Sequence, residues 1–204
     1  MSMAVHYNAY IVTPYADVRR EPSPRSCLHY EIDRSQETQC IYGESVVVMQ
    51  QDARWSYVQI PGQGRYNAEG DIEGYKGWVL SQCLHKKSSQ KEKETYVVTT
   101  LPWVEVQGEE RLVVPFGTIL PCIGSGGGRC HVKLPTGVEG IISSEAVMTS
   151  QEVHNLTTEE KRRHLIFLAQ HFLRSPYFWG GRTAFDAKQE GSTGVDCSSL
   201  VNLL

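Results

Sequence analysis

An internal repeat of strand-like segments constrains the fold of this chain more than any other feature of its sequence. Four short segments in the first 85 residues each have a counterpart between residues 95 and 150, and the separation between counterparts falls from 86 residues to 74 and then to 63. A separation that falls in two steps means that the first copy carries two loop insertions, at residues 20–39 and 62–74. The sequence therefore predicts two homologous β-units, the first with enlarged loops. The paired segments begin at Tyr10 and Tyr96, Tyr42 and Phe116, Tyr57 and His131, and Gly77 and Gly140.

The first unit carries strand patterns and no helical period. Residues 45–50 are β-branched and apolar, and residues 55–60 alternate apolar with polar side chains, which is typical of strands. Residues 61–64 contain Pro and two Gly, so we predict a long loop from there to about Gly74, followed by a last strand at residues 77–80. The unit is thus predicted to be a small barrel of short strands.

The chain changes character after each unit. Residues 86–94 are entirely polar, which predicts a linker. Beyond the second unit, apolar residues recur at helical spacing and Thr157 and Glu160 fit a capping box, so a helix is predicted over about residues 158–173. The predicted boundaries are 1–85 for the first barrel, 86–94 for the linker, 95–150 for the second barrel and 151–204 for a part of another type.

Composition excludes some classes of partner. The 204 residues carry a net charge of −3 without clustered basic residues, so nucleic acid is not an expected partner. The first twelve residues lack the basic region of a signal peptide, and no apolar run approaches the ~18 residues of a membrane span. We expect a soluble, cytoplasmic monomer.

The six cysteines are scattered through the chain without the spacing of a small disulfide scaffold. In a chain of this size without a signal peptide, this pattern predicts free thiols. Cys83-x-His85 and Cys130-His131 do not belong to paired C-x-x-C arrangements, so no zinc site is predicted. No other metal and no cofactor is expected.

The strongest chemical signal is a cysteine that follows an aromatic turn. Residues 176–182 read P-Y-F-W-G-G-R, and after a polar loop residues 194–201 read G-V-D-C-S-S-L-V. Cys197 begins an apolar helix, where the partial positive charge of the helix start favours the nucleophilic thiolate; an ordinary buried helix cysteine is the alternative. The backbone N–H of Cys197 or Ser198 would stabilise an oxyanion, and Asp196 is suited to bind a substrate ammonium group.

These segments resemble the signature of the NlpC/p60 cysteine peptidases, Y-x-W-G-G followed by D-C-S-G-L-V, with Ser199 in place of the glycine. The two β-units resemble bacterial SH3-like domains, most specifically through Y-G-E-x-V and G-Y-x-G-W-V in the first copy. The resemblance implies a mainly β chain followed by α+β structure. Its parts would be two tandem SH3-like barrels and the N-terminal helices of an incomplete, papain-like NlpC/p60 domain.

The resemblance also implies an activity: a γ-D-glutamyl-L-diamino-acid endopeptidase that trims murein stem peptides with a free N-terminal L-alanine, in peptidoglycan recycling. Cys197 would be the nucleophile, and the family's histidine base follows the cysteine by many residues. Only seven residues follow Cys197 here and none is histidine, so we expect the base to lie beyond Leu204. The chain would then be a fragment that is inert as it stands; a truncated and inactive form is the alternative. The residues implied to contact substrate are Asp196, Ser198, Tyr177 and Trp179 near the cysteine, and Glu44 and Tyr75 from the first barrel.

Alternatives remain at this point. Glu44 is equally well interpreted as a solvated residue at the start of a strand, and Tyr75 as barrel packing. A non-catalytic peptide- or glycan-binding module of tandem SH3-like domains would need no histidine. An amidase on the same scaffold would use the same cysteine on a different bond.

Overall fold

The structure is a computed structural model that describes residues 3–24, 32–88, 95–108, 111–184, 186 and 193–204. Within these ranges the chain is mostly β with few helices, which confirms the coarse fold class. The predicted linker begins inside a strand, at Lys86, and its residues 89–94 lie outside the described residues. The strands are β1 Met3–Ile11, β2 Tyr15–Arg19, β3 Gln36–Ile41, β4 Ser45–Gln51, β5 Trp55–Tyr66, β6 Ile72–Leu80, β7 Leu84–Lys86, β8 Thr95–Thr99, β9 Trp103–Val106, β10 Leu112–Pro115, β11 Ile119–Gly126, β12 Arg129–Lys133, β13 Glu139–Ser143, β14 Val147–Thr149, β15 Arg182–Thr183 and β16 Gly194–Val195. The helices are α1 Ser150–Asn155, α2 Thr158–Ala169 and α3 Cys197–Leu203, with 3₁₀ turns at Ser81–Cys83, Ser144–Ala146 and Gln170–Phe172.

The first seven strands form one sheet in the order β3-β2-β6-β5-β4-β1-β7. The loop predicted after Ile60 is wrong, because β5 continues to Tyr66 and pairs with β6 as a long hairpin. The ladder register shifts between Ile60 and Gly64, so Pro61 falls in the irregular stretch, where its missing N–H costs no ladder bond. At Gly74 an added Cβ would lie 2.8 Å from the Ile60 carbonyl oxygen, so the hairpin requires glycine there.

The second unit contains a five-stranded sheet in the order β13-β12-β11-β8-β14, with β9 and β10 as a separate pair. Two backbone hydrogen bonds occur at equivalent positions in the two units. The N–H of Gly43 donates to the carbonyl of Ile11, and the N–H of Gly117 donates to the carbonyl of Thr99. Both glycines have φ of 78°, the left-handed conformation that favours glycine. The two acceptors, Ile11 and Thr99, are therefore equivalent positions, and they are 88 residues apart in the sequence rather than the predicted 86. The two glycines are 74 residues apart, as predicted. A shift of two residues keeps the same side chains facing inward, so the alternating pattern could not detect it.

Among the described residues, three apolar cores hold these parts together. The first lies inside the first sheet around Val18, Val46 and Val58, and the second lies inside the second unit. A third core joins Phe116 of the second unit to Leu168, Phe172 and Val195, with the Phe116 and Phe172 rings edge to face at 5.2 Å. Burying a side chain as large as Phe172 stabilises the fold by about 1.5–3 kcal/mol. This third core fixes α2 and the segment before α3 against the second unit.

The predicted capping box is confirmed at the start of α2. The Thr157 hydroxyl accepts the N–H of Glu160, and the Glu160 carboxylate accepts the N–H of Thr157 at 2.8 Å. The helix ends at Ala169, four residues earlier than predicted, and a 3₁₀ turn continues to Phe172. In the part of the chain that the structure describes, no helix is long and apolar enough to cross a membrane.

Candidate active site

The predicted cysteine at a helix start is confirmed. Cys197 is the first residue of α3, its side chain is exposed, and Asp196 is the N-cap residue. The Asp196 carboxylate accepts the backbone N–H of Ser199 at 2.7 Å and the hydroxyl of Ser198 at 2.8 Å, both on Oδ1. The N–H groups of the first helical turn have no intrahelical acceptor, so those of Cys197 and Ser198 remain available for an oxyanion. The helix thus presents a thiol and hydrogen-bond donors at the same end.

A second contact of Asp196 connects the helix to the aromatic turn. The N–H of Gly180 donates to Oδ2 of Asp196 at 3.0 Å. Since a carboxylate oxygen offers about two acceptor positions, Oδ2 keeps one for a ligand. Gly180 has φ of 69°, and an added Cβ would lie 3.1 Å from the Glu37 backbone, so only glycine fits this turn. The Trp-Gly-Gly sequence therefore brings the turn close to both Asp196 and β3.

The side chain of Trp179 lies between the turn and the first sheet. Its indole N–H donates to the carbonyl oxygen of Gln36 at 3.0 Å, while 47% of the residue remains exposed. The hydrogen bond fixes the ring orientation, and the exposed part is available to a substrate. Its predicted role as a substrate contact stays a prediction.

Tyr177 lies beside the reactive end of α3. It forms a parallel bridge with Val195 and is 54% exposed. Desolvation, followed by the negative charges of Asp196 and Cys197, raises the pKa of Tyr177. The tyrosine therefore stays protonated near neutral pH and can donate a hydrogen bond to a ligand.

The structure gives Tyr75 a partner that the sequence did not suggest. The Tyr75 hydroxyl donates to Oε2 of Glu37 at 3.2 Å, and Nε of Arg20 lies 2.6 Å from Oε1 of the same carboxylate. Burial and then the Glu37 charge raise the pKa of Tyr75. Glu37 adjoins Gln36, whose carbonyl holds Trp179. A carboxylate and a phenol from the first unit thus lie next to the aromatic turn.

Glu44 lies in a different environment. Both of its oxygens are 2.9 Å from one guanidinium nitrogen of Arg182, Oε1 also accepts the Gln63 amide, and Oε2 accepts the N–H of Ile41. The side chains of Arg182 and Glu44 are only 7% and 15% exposed. The pair borders a cavity of about 370 Å³ that Leu203 also lines. The structure therefore brings Asp196, Ser198, Tyr177 and Trp179 together near Cys197, and it brings Glu37 rather than Glu44 to Tyr75.

A buried network positions the strand that receives Trp179. Arg19, which is 2% exposed, forms an ion pair with Asp33 at 2.7 Å and donates to the side chain of Gln36 at 3.2 Å. The Gln36 amide in turn donates to the carboxylate of Asp17. A buried arginine is stable only when its charge is paired and hydrogen-bonded, so these contacts fix the first part of β3.

Two of the other cysteines are less suited to act as nucleophiles. Burial raises the pKa of Cys40 and Cys83, so both stay protonated. Among the residues that the structure describes, no group of three or more His, Cys, Asp or Glu could hold a metal ion.

The described residues do not supply the histidine base of the predicted site. No described histidine forms a hydrogen bond with Cys197. Leu204, the residue after which the base is expected, directly follows α3 and packs half-buried against the third core together with Leu203. The apolar end of α3 therefore rests on the second unit, and the histidine beyond Leu204 stays a prediction.

Comparison with known proteins identifies relatives of the chain. It is 29% identical over 167 residues to a γ-D-glutamyl-L-lysine dipeptidyl-peptidase of Bacillus subtilis, a match that covers 81% of this chain and 51% of the relative. A protein of the same name from Bacillus cereus is 26% identical over 175 residues, or 82% of this chain and 49% of the relative. The chain therefore spans about half the length of the curated relatives it matches. No family model matches it.

The fold also has a counterpart among solved structures. The crystal structure of an NlpC/p60 family protein from Bacillus cereus superposes with a TM-score of 0.76 at 21% identity, covering 96% of this chain and 71% of the other. The resemblance to NlpC/p60 peptidases read from the motifs around Trp179 and Cys197 is confirmed, in sequence by two γ-D-glutamyl-L-lysine dipeptidyl-peptidases and in fold by an NlpC/p60 protein.

Proposed function

We propose that this chain carries the nucleophile and the amino-terminal subsite of a cysteine peptidase that cleaves γ-D-glutamyl–diamino-acid bonds in murein stem peptides. The observation that carries the proposal is the exposed Cys197 at a helix start, next to an Asp196 carboxylate that is oriented by Gly180, Ser198 and Ser199. The names of the two relatives support a γ-D-glutamyl substrate.

The chemistry would be acyl transfer to sulfur. The Cys197 thiolate attacks the carbonyl carbon of the scissile amide, and the resulting oxyanion is stabilised by backbone N–H groups at the start of α3. The tetrahedral intermediate expels the diamino-acid amine, which takes a proton, and leaves a thioester on Cys197. Water then hydrolyses the thioester and frees the thiol. The histidine implied by the resemblance, beyond Leu204, would move the protons in both steps.

The substrate's free amino end would be bound by acidic and phenolic groups around the turn. Oδ2 of Asp196 has an unused acceptor position, and the carboxylate of Glu37 adjoins the backbone that holds Trp179. An α-ammonium group beside these two carboxyl groups would be favoured over an acetylated amine, because a charge-assisted hydrogen bond is stronger than a neutral one. The Tyr75 hydroxyl on Glu37 would close the same end of the cleft. This arrangement selects short peptides with a free N-terminus.

The test measures hydrolysis by the gene product that contains this sequence, in its longest encoded form. The substrates are L-Ala-γ-D-Glu-L-Lys and its N-acetylated counterpart. We expect cleavage of the free peptide between D-Glu and L-Lys, no cleavage by Cys197→Ala, and a raised KM in Asp196→Asn. Cys122→Ala, which changes a half-buried cysteine on β11, is the matched control and should retain wild-type activity.

Four outcomes would contradict the proposal. Undiminished turnover by Cys197→Ala would exclude this nucleophile. Equal cleavage of the acetylated peptide would exclude an ammonium subsite. Release of alanine instead of lysine would indicate an aminopeptidase specificity. Binding without turnover by the wild type would indicate a recognition module.

A further inference from the structure

A cleft of about 850 Å³ separates the two β-units, away from Cys197. One wall consists of β1 and β7 of the first unit, and the other consists of β8, β11 and the end of β12. The floor forms where the turn at Gly43 approaches β11, with a Cβ added at Gly43 only 3.2 Å from the Ile119 carbonyl oxygen. The volume falls within the ~300–1,000 Å³ of small-molecule sites and is larger than a bare phosphate or carboxylate needs.

The charges that line this cleft are positive. Lys86 and Lys87 lie on the first wall and Lys133 lies on the second, while none of the described residues that line the cleft is Asp or Glu. The Lys86 ammonium lies over the Tyr7 ring, 5.3 Å from its centroid. The Lys87 ammonium is placed in the same way over Tyr10, at 4.9 Å. No described carboxylate pairs with either ammonium group.

The tyrosines give these lysines a defined position. A cation over an aromatic face is attracted by the negative face of the ring, even at an exposed site. Tyr7 is itself held by a hydrogen bond from its hydroxyl to the Gln51 side chain at 2.9 Å. The two ammonium groups are thus held at the rim of the cleft, where they attract anions.

Polar uncharged groups complete the lining. Ser45, Ser88, Thr136, Asn8 and Tyr96 also line the cleft. Hydroxyl and amide groups bond the hydroxyls of a ligand and would not select a simple inorganic ion. Lysines bind carboxylate or phosphate as point charges.

We propose that the cleft between the two β-units is a binding site for an anionic saccharide, a sugar that bears a carboxylate or a phosphate. This site does not depend on Cys197 or on the proposed peptidase activity. It gives the second β-unit a role in recognition.

The test uses three matched probes on the purified chain: glucose, glucuronate and glucose 6-phosphate. Two-dimensional NMR would follow the amide signals of β7 and β12 during titration. We expect shifts in these signals with one or both anionic sugars and none with glucose. The ratio of the two anionic affinities would identify whether the ligand's charge is a carboxylate or a phosphate. Raising the salt concentration should weaken binding, because exposed charges are screened.

Two double variants test the location. Lys86→Gln/Lys87→Gln should weaken the binding of the preferred anionic sugar by about ten-fold. Arg129→Gln/Lys161→Gln removes the same charge at the other end of β12 and on α2, and should leave binding unchanged. Equal losses in both variants would indicate non-specific charge attraction and would overturn the proposal. Shifts caused by glucose, or an absence of shifts with every probe, would overturn it too.

A different observation concerns two cysteines in the second unit. Cys122 lies on β11 and Cys130 on the adjacent β12, with their sulfur atoms 3.1 Å apart and not bonded. A disulfide needs a separation of about 2.05 Å, so a small rotation of the side chains would join them. Cys122 is half-buried and can be reached from solvent, whereas Cys130 is 3% exposed.

We propose that Cys122 and Cys130 are a reversible cross-linking site that peroxide oxidises. The Cys122 thiolate attacks one oxygen of hydrogen peroxide and becomes a sulfenic acid with release of water. The Cys130 sulfur then displaces the sulfenic oxygen, which leaves as a second water. The two thiols lose two electrons and two protons in total, and the peroxide gains them. A dithiol reductant reverses the change.

The experiment treats the Cys197→Ala chain with hydrogen peroxide and counts thiols after denaturation. Five thiols remain in this variant before oxidation, and three are expected afterwards, with mass spectrometry locating the bond between Cys122 and Cys130. Cys130→Ser should abolish the cross-link, and Cys83→Ser should retain it. Five remaining thiols, or a bond to any other cysteine, would overturn the proposal.

Discussion

Replacing Arg182 by methionine should destabilise the protein strongly, because Arg182 joins the aromatic turn to the first sheet. Its guanidinium contacts both oxygens of Glu44 at 2.9 Å, and the two side chains are 7% and 15% exposed. Removing one partner of a buried ion pair costs about 3–5 kcal/mol, since the other charge is left without compensation. Glu44 would keep its bonds from Gln63 and from the N–H of Ile41. The lower end of that range is therefore expected.

A loss of about 3 kcal/mol corresponds to a Tm about 6–12 °C lower for a chain of this size, measured by differential scanning calorimetry. The matched control is Arg163→Met, which breaks an exposed i,i+4 pair with Glu159 on α2. Such pairs contribute about 0.3–0.5 kcal/mol, so its Tm should change by less than about 2 °C. Replacing both Arg182 and Glu44 by methionine should cost less than Arg182→Met alone, because no buried charge remains unpaired. A loss below about 1 kcal/mol in Arg182→Met, or a double variant as unstable as the sum of the singles, would refute this reasoning.

Three further predictions address other contacts. Gly77→Ala should destabilise by about 1–3 kcal/mol in urea unfolding, because its Cβ would lie 2.6 Å from a valine methyl and 2.8 Å from a backbone oxygen; Gly124→Ala, which meets nothing within 4 Å, should be neutral. Hydrogen bonds from Thr157 lower the pKa of Glu160 in the folded state. The stabilisation that Glu160 contributes is therefore present above the ordinary pKa of 4.5 and is lost as the pH falls through the lowered pKa. The Tm difference between wild type and Glu160→Gln should be larger at about pH 6 than at about pH 3. Trp179→Phe removes the indole N–H bond to β3, and near-UV circular dichroism should report a loss of fixed aromatic signal while far-UV spectra stay unchanged.

The strand repeat and the helix signals were readable from sequence because each rests on local patterns. The alternation around Val46 and Val58 marks inward faces, and Thr157 with Glu160 satisfies the first N–H groups of α2 without help from elsewhere. The β5–β6 hairpin was missed for the opposite reason. Pro61 and its neighbouring glycines are turn signals in isolation, and only the pairing of β5 with β6 shows that they form a bulge.

The residues of the candidate site also differ in whether local sequence or tertiary contacts determine their position. Cys197 and Asp196 were readable because the thiol, the N-cap and the helix are contiguous in the chain, so their geometry follows from local rules. Glu44 and Glu37 cannot be told apart in this way, because both are carboxylates of the first unit and each acquires its role from a distant partner. Arg182, 138 residues further along, pairs with Glu44, whereas Tyr75 and the backbone next to Trp179 surround Glu37. Each carboxylate already has a guanidinium partner, but the side chain of Arg182 on Glu44 is 7% exposed, whereas that of Arg20 on Glu37 is 69% exposed. Solvent screens the exposed Arg20 charge, so Glu37 keeps more attraction for a substrate ammonium group. These contacts support our proposal that Glu37 rather than Glu44 binds the substrate's amine, and they are tertiary contacts of β3 that the sequence alone does not reveal.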